Sequence, residues 1–171
     1  MWADLEQDVA RKGRGARAWV KAITKIDFHV LLGYRFCRAL QPYKLGRVAV
    51  RLLQIFPRAL SGCYISAQAS IAGGVQMPHP TGIVIGEGVV LGRNATIFQN
   101  VTIGSGDLGA GAYPVIGNNV TIFANAVIVG SIKIGDGAKI GAGAVVLKDV
   151  PAGRTAVGNP ARLLPEAPGI S

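Results

Sequence analysis

Two histidines, His29 and His79, and two cysteines, Cys37 and Cys63, are the side chains of this chain best able to move a proton or attack as a nucleophile near neutral pH. Their settings differ. His29 falls in a stretch that reads as a helix, where a partly buried structural histidine is the simpler reading. His79 stands between Pro78 and Pro80, in a segment that interrupts a strong sequence period. Interruptions of a regular scaffold are where function concentrates. The cysteines lie in different segments without metal-ligand spacing, so they suggest neither a disulfide framework nor a zinc site. A zinc centre built from three histidines is set aside, because His79 alone lies in the periodic region.

The period that His79 interrupts is six. Aliphatic residues recur at Ile65, Ile71 and Met77, then at Ile85, Leu91, Ile97 and Ile103, and again at Ile116, Ile122, Ile128, Ile134, Ile140 and Val146. The residue four positions on is usually small or β-branched, as at Ala69, Val89, Ala95, Val101, Val120, Ala126, Ala138 and Ala144. An α-helix does not produce a six-residue period with β-branched residues and a following glycine, as in Ile85-Gly86 or Ile140-Gly141. A triangular solenoid does, with one short strand and one corner per hexad and three hexads per coil. Gly, Asn or Asp at the corners supplies tight or left-handed backbone. The hexads predict four to five coils. The register slips twice, at Met77–Gly82 and in the Gly-rich excursion Gly104–Pro114.

Ahead of the solenoid the chain is basic. Residues 1–62 hold 12 Lys/Arg against 4 Asp/Glu, whereas 63–171 hold 6 against 5. Weak helical character runs around Ala16–Ile26. A helix is expected from an N-cap at Asp27 through Leu40, with Phe28, Leu31, Leu32, Phe36 and Leu40 to one side. A second, about Tyr43–Phe56, sets Leu45, Val48, Ala49, Leu52, Leu53 and Phe56 against Lys44, Arg47 and Arg51. The basic backs of these helices suggest peripheral contact with an anionic membrane surface; a solvated face is the plain alternative. Charge alone does not support nucleic-acid binding, and no nucleic-acid partner is assigned. No signal peptide or apolar run of membrane-spanning length is read, so a cytoplasmic protein is expected, at most peripheral at the inner membrane face. The expected organisation is a helical segment over 1–61, a mainly β solenoid domain over 62–164 and a tail over 165–171.

Residues 62–164 resemble the catalytic domain of the bacterial serine O-acetyltransferases and the related acetyltransferases of polysaccharide gene clusters. The resemblance rests on His79-Pro-Thr-Gly-Ile-Val-Ile-Gly-Glu87, Val101-Thr-Ile-Gly104, Lys139-Ile-Gly-Ala-Gly-Ala-Val-Val-Leu147 and Val150-Pro…Val157-Gly-Asn-Pro-Ala-Arg162. It implies a left-handed parallel β-helix, a homotrimer, acetyl-CoA as co-substrate with no metal, and His79 as the catalytic base. The cofactor would lie in a groove between adjacent subunits, with Gly104, Ala124 and Ala142 along its pantetheine arm. Lys139, Lys148, Arg154 and Arg162 would stand near its phosphates. The imidazole would take the alcohol proton as the C–O bond forms, by direct attack and not through an acyl-enzyme.

The resemblance fails where the amino acid would be held. The serine enzymes carry an Asp before the catalytic His, an Arg-His pair before the Pro that opens the next coil, and an Asp at the start of the β-helix. Here those positions are Pro78, Ala112-Tyr113 and Tyr64. Without those charges a serine zwitterion is expected to bind poorly. The acceptor expected instead is a sugar hydroxyl, as on a polysaccharide precursor, met by Tyr113, Tyr64 and Pro78. Serine acetylation through an altered pocket is the alternative, and a non-catalytic β-helix scaffold is the rival of another class.

Overall fold

The computed structural model describes residues 1–43, 46, 50, 53, 55, 59, 61–106 and 111–165. Each hexad forms one strand of two or three residues and one corner, and the strands stack into three sheets. The first sheet stacks β1 (Tyr64–Ile65), β3 (Val84–Ile85), β6 (Thr102–Gly104), β9 (Val127–Val129) and β12 (Val145–Val146). The second stacks β2 (Ser70–Ile71), β4 (Val90–Leu91), β7 (Val115–Ile116) and β10 (Lys133–Ile134). The third stacks β5 (Thr96–Ile97), β8 (Thr121–Ile122), β11 (Lys139–Ile140), β13 (Thr155–Val157) and β14 (Arg162–Leu163). Single bridges at Gln76↔Thr96 and Ile134↔Val150 bring the third and second sheets into the first and last coils. The result is a left-handed parallel β-helix of nearly five coils, as the hexads predict. The sole antiparallel pairing among the described strands joins β13 to β14.

The hydrophobic effect sets this geometry. Ile85, Ile97, Ile103, Ile122, Ile128 and Ile140 are fully buried and stack on their equivalents one coil away, filling the triangle. The small four-on residues, such as Ala95, Ala126 and Ala144, are equally buried at the corners, where a larger side chain has no room. Left-handed backbone at the corners comes from glycine and also from asparagine: Asn94, Asn100, Asn119 and Asn125 have φ between 56° and 61°. Their amides form ladders, Asn94 Nδ2 donating to Asn119 Oδ1 at 3.3 Å and Asn100 Nδ2 to Asn125 Oδ1 at 3.1 Å. Asn125→Ala is therefore expected to cost about 1–2 kcal/mol in urea unfolding, for a strained φ and a lost rung, and Asn125→Gly clearly less.

Three helices can be bounded among the described residues ahead of the solenoid: α1 (Trp2–Ala10), α2 (Gly15–Ile23) and α3 (Ile26–Leu40). The sequence expectation differs from them in several ways. The sequence pattern predicts no helix where α1 lies, and α2 ends before Ile26. Lys25, not Asp27, is the N-cap of α3; Asp27 lies inside the first turn, buried, with its Oδ2 2.5 Å from Lys12 Nζ. Phe28 and Leu31 are buried as expected, but Leu32 and Phe36 are exposed. The helix is turned by what the first coil needs. Tyr34 OH donates to Ala69 O and accepts from Ile71 N; Arg35 donates from Nη1 to Ile71 O and from Nη2 to Ala72 O; and Arg38 Nη1 donates to Gln68 O. A first coil has no preceding coil to satisfy its backbone, and these side chains stand in for one. Val30, Leu31 and Tyr34 join the solenoid's own core.

The basic residues of this segment are thus not all on a free outer face. Arg35 is buried, paired with Asp8 at 2.8 Å, and Arg11 Nη1 reaches Asn94 O. Burial outweighs the lowering by Arg35 and raises the Asp8 carboxyl above its ordinary value. The second predicted helix, over 43–56, falls mainly outside the described residues; of those described, Val50 is buried and Leu53 exposed. Among the described residues no helix is long and apolar enough to cross a membrane.

Candidate active site

The corner holding His79 is longer than its counterparts. The chain passes from Ile97 to Val101 in the second coil but from Met77 to Ile83 in the first, two residues more, because Val84 pairs with Thr102 while Gln76 pairs with Thr96. Three backbone bonds hold this turn: Thr81 N–H to His79 O, Gly82 N–H to Ser61 O, and Asn100 N–H to Thr81 O. Pro80 is buried as an anchor, and Pro78 and His79 face outward. The imidazole is therefore presented from a braced turn.

Beside it lies a surface that the sequence did not single out. The His79 ring centroid is 6.4 Å from that of Phe98, which stacks on Phe123 at 5.3 Å with planes 18° apart. The two phenylalanines directly follow β5 and β8, where the inward period says nothing of them; the signal available was a repeated aromatic at equivalent positions in consecutive coils. Gln99 follows Phe98, and its Oε1 is buried without a hydrogen-bond partner. A buried acceptor without a protein partner takes its hydrogen bond from water or from a bound molecule.

Tyr64 and Tyr113 meet on the same side of the first sheet. Tyr64 is exposed at the start of β1 and pairs with Val84, just past the His79 turn. Tyr113, returning from the Gly-rich excursion, lays its ring over Gly86 and Gly88, where any Cβ at Gly88 would collide with it. Its hydroxyl donates to Glu87 Oε1 at 3.2 Å. Desolvation first, then Glu87 and the nearby Tyr64, push the Tyr113 hydroxyl above its ordinary pKa, so it stays a neutral donor. Glu87 is a further polar residue of this cluster that sequence reasoning left unassigned. His29 is exposed, not partly buried, and its Nε2 lies 2.7 Å from Ile23 O at the end of α2, a structural contact.

The residues expected along a cofactor fall in two places. Ala124 and Ala142 follow β8 and β11 one coil apart, joined by Gly143 N–H to Ala124 O at 2.9 Å. Gly104 closes β6 opposite Val129, at the other end of the first-sheet strand that Ala124 precedes. A Cβ at Gly104 would meet nothing within 4 Å, and Ala142 is exposed, so both stretches of backbone can be approached closely. Lys139 and Arg162 are exposed on the third sheet, and Lys148 is exposed after β12. Arg154 is half-buried and donates from Nη2 to Leu164 O at 2.8 Å, bracing the last turn.

Comparison with known proteins agrees with this architecture. The sequence model of the bacterial transferase hexapeptide family (six repeats) matches residues 113–148. A serine acetyltransferase of Helicobacter pylori is 37% identical over 161 residues, covering 94% of this chain and 91% of that protein. The Escherichia coli serine acetyltransferase is 42% identical over 139 residues, and the matched region spans 50% of its length. Among solved structures, soybean serine acetyltransferase complexed with serine superposes with a TM-score of 0.86 at 36% identity, covering 95% of this chain and 68% of that one. A serine acetyltransferase in complex with CoA does so with a TM-score of 0.84 at 32% identity, covering 95% and 69%. A relative matched over nearly its whole length, together with a β-helix that carries its one outward histidine in a braced turn, shows that the chain belongs to the serine acetyltransferase family of hexapeptide-repeat acyltransferases.

Proposed function

We propose that the chain transfers the acetyl group of acetyl-CoA to the hydroxyl of serine, with His79 as the general base. The observation that carries the reading is the His79 turn: an exposed imidazole on a hydrogen-bonded turn, flanked by Phe98. His79 takes the acceptor proton as the new C–O bond forms and returns it to the departing thiolate. A thioester supplies the activated acyl group. Neutral Tyr113 and the adjacent Tyr64 orient the acceptor. Gly104, Ala124 and Ala142 give the pantetheine arm close approach to backbone, and Lys139, Lys148 and Arg162 stand toward the phosphates. Arg154 shapes the same end through its bond to Leu164 O. The two stretches of small residues flank a strand within one protomer, which fits a groove shared by adjacent copies in a homotrimer.

Serine comes first because the relatives matched here are serine acetyltransferases, one of them solved with serine bound. This reverses the order of acceptors expected from sequence. One observation keeps the second reading, a sugar hydroxyl: Tyr64, Tyr113 and exposed Pro78 are uncharged where an amino acid would need charged partners. Initial rates of CoA release with L-serine and with a panel of sugars separate the two. Saturable turnover with serine at micromolar to millimolar concentration is the expected result; saturation by a sugar and none by serine would transfer the assignment. Absence of acetyl-CoA binding in calorimetry would leave only a scaffold.

A further inference from the structure

A second feature of the molecule reaches the turn that carries His79 through Pro78 and is unused by the acyl-transfer reading. A cavity of about 490 Å³ opens between the helices and the first coil, lined by Lys12, Lys21, Lys25, Asp27, Gln76 and Pro78. Its size is within the range of about 300–1,000 Å³ usual for small-molecule sites. Pro78, in its wall, is the residue before His79. Three lysines from three elements converge here: Lys12 from the turn after α1, Lys21 from the last turn of α2, and Lys25 from the N-cap of α3.

The charges do not cancel. Lys12 is committed to Asp27, with both side chains largely buried. Gln76 is held on both sides of its amide, Nε2 donating to Arg11 O and Oε1 accepting from Arg11 Nη2. Lys21 and Lys25 have no carboxylate within ion-pair distance among the described residues. A concave site with two unneutralised ammonium groups, near the positive end of the 15-residue helix α3, has a field that draws an anion.

We propose that this cavity is the acceptor's anion subsite: the hydroxyl to be acetylated lies at His79 while a carboxylate or phosphate of the same molecule sits on Lys21 and Lys25. The inference rests on His79 being the base. It names the acceptor as a hydroxyl compound bearing an anionic group, whether a small hydroxy amino acid or an acidic sugar.

The test uses the full chain, the double variant Lys21→Ala/Lys25→Ala and the control Arg14→Ala/Arg17→Ala, which removes two exposed charges of the same segment outside the cavity. Initial rates are measured with L-serine, glucuronate and glucose, alongside a thermal-shift titration with glucuronate and inorganic phosphate. The expected result is a KM for the anionic acceptor raised about ten-fold or more in the lysine double, with the KM for acetyl-CoA and kcat within two-fold and the control unchanged. Anion-induced stabilisation should be present in the native chain and lost in the lysine double. A KM shift seen with serine assigns the amino acid, and one seen with glucuronate assigns the acidic sugar. Equal KM values in the two doubles, glucose used as well as glucuronate, or no anion-induced stabilisation would overturn the subsite and leave His79 as the base. Full turnover in His79→Ala would instead remove the reading on which it rests.

Discussion

Replacing His79 with alanine is expected to lower kcat for acetyl transfer by about 10²- to 10⁴-fold, the usual contribution of a positioned general base. His79 is outward-facing, its carbonyl bonds Thr81 N–H, and its ring touches Phe98 at the edge of an aromatic stack that continues to Phe123. The backbone bond survives truncation, so the turn should keep its shape and thermal unfolding should be unchanged within a degree or two. Acetyl-CoA affinity, measured by calorimetry, should also be retained, since none of Gly104, Ala124 and Ala142 depends on the imidazole. Loss of kcat with intact cofactor binding separates a base from a binding or folding residue. A kcat within ten-fold of the native chain would sink the assignment.

The largest expected effect on stability lies away from the site, at Arg35. Its side chain is 4% exposed and donates to Asp8 Oδ2 at 2.8 Å and Oδ1 at 3.2 Å, and to Ile71 O at 3.1 Å and Ala72 O at 3.0 Å. Arg35→Met keeps the apolar stem but leaves the Asp8 carboxylate, 1% exposed, with only backbone N–H partners such as Val75 N. Breaking one side of a buried pair costs about 3–5 kcal/mol. Urea unfolding of Arg35→Met should show that loss. The double variant Asp8→Ala/Arg35→Met should lose at least about 1 kcal/mol less than the sum of the singles, because the stranded charge is gone. Additive losses would mean that the two groups act independently. Acid should not unfold the protein through Asp8: its carboxyl lies above the ordinary value, so protonation below that pKa favours the folded state, and the stability it contributes falls as pH rises through the raised value.

The solenoid was legible because its rule is local. Each inward position, from Ile65 to Val146, is specified within its own hexad, and burial follows the hexads throughout. The position of His79 was legible for the complementary reason, since a slip of two residues in a strict period has to leave the wall. The helices obey no such rule. Arg35 reads as one more cation on a basic face, yet it is buried, because its partners are carbonyls some 36 residues away at Ile71 and Ala72. Leu32 and Phe36 read as core and are exposed for the same reason: the first coil selects the face with donors over the greasier one. Among the site residues, the pairing of Tyr113 with Glu87 and the stack of Phe98 on Phe123 arise from coil-to-coil register, which sets equivalent corners 18 or 25 residues apart and has no trace in adjacent residues.

The two ends of the stack are closed by different devices, side chains of α3 at one and the antiparallel return of β14 at the other. An open coil edge would otherwise recruit another strand. Closure makes the length of this enzyme a quantised property. Between fixed ends, a lineage can lengthen or shorten the wall only by whole circuits of 18 residues, the repeat that separates Thr121 from Lys139. Adding a single hexad would swing everything after it by a third of a turn, carrying Lys139 and Arg162 to a different side of the prism from His79. Duplication of one circuit should therefore be tolerated, and duplication of one hexad should abolish cofactor binding while leaving a folded protein.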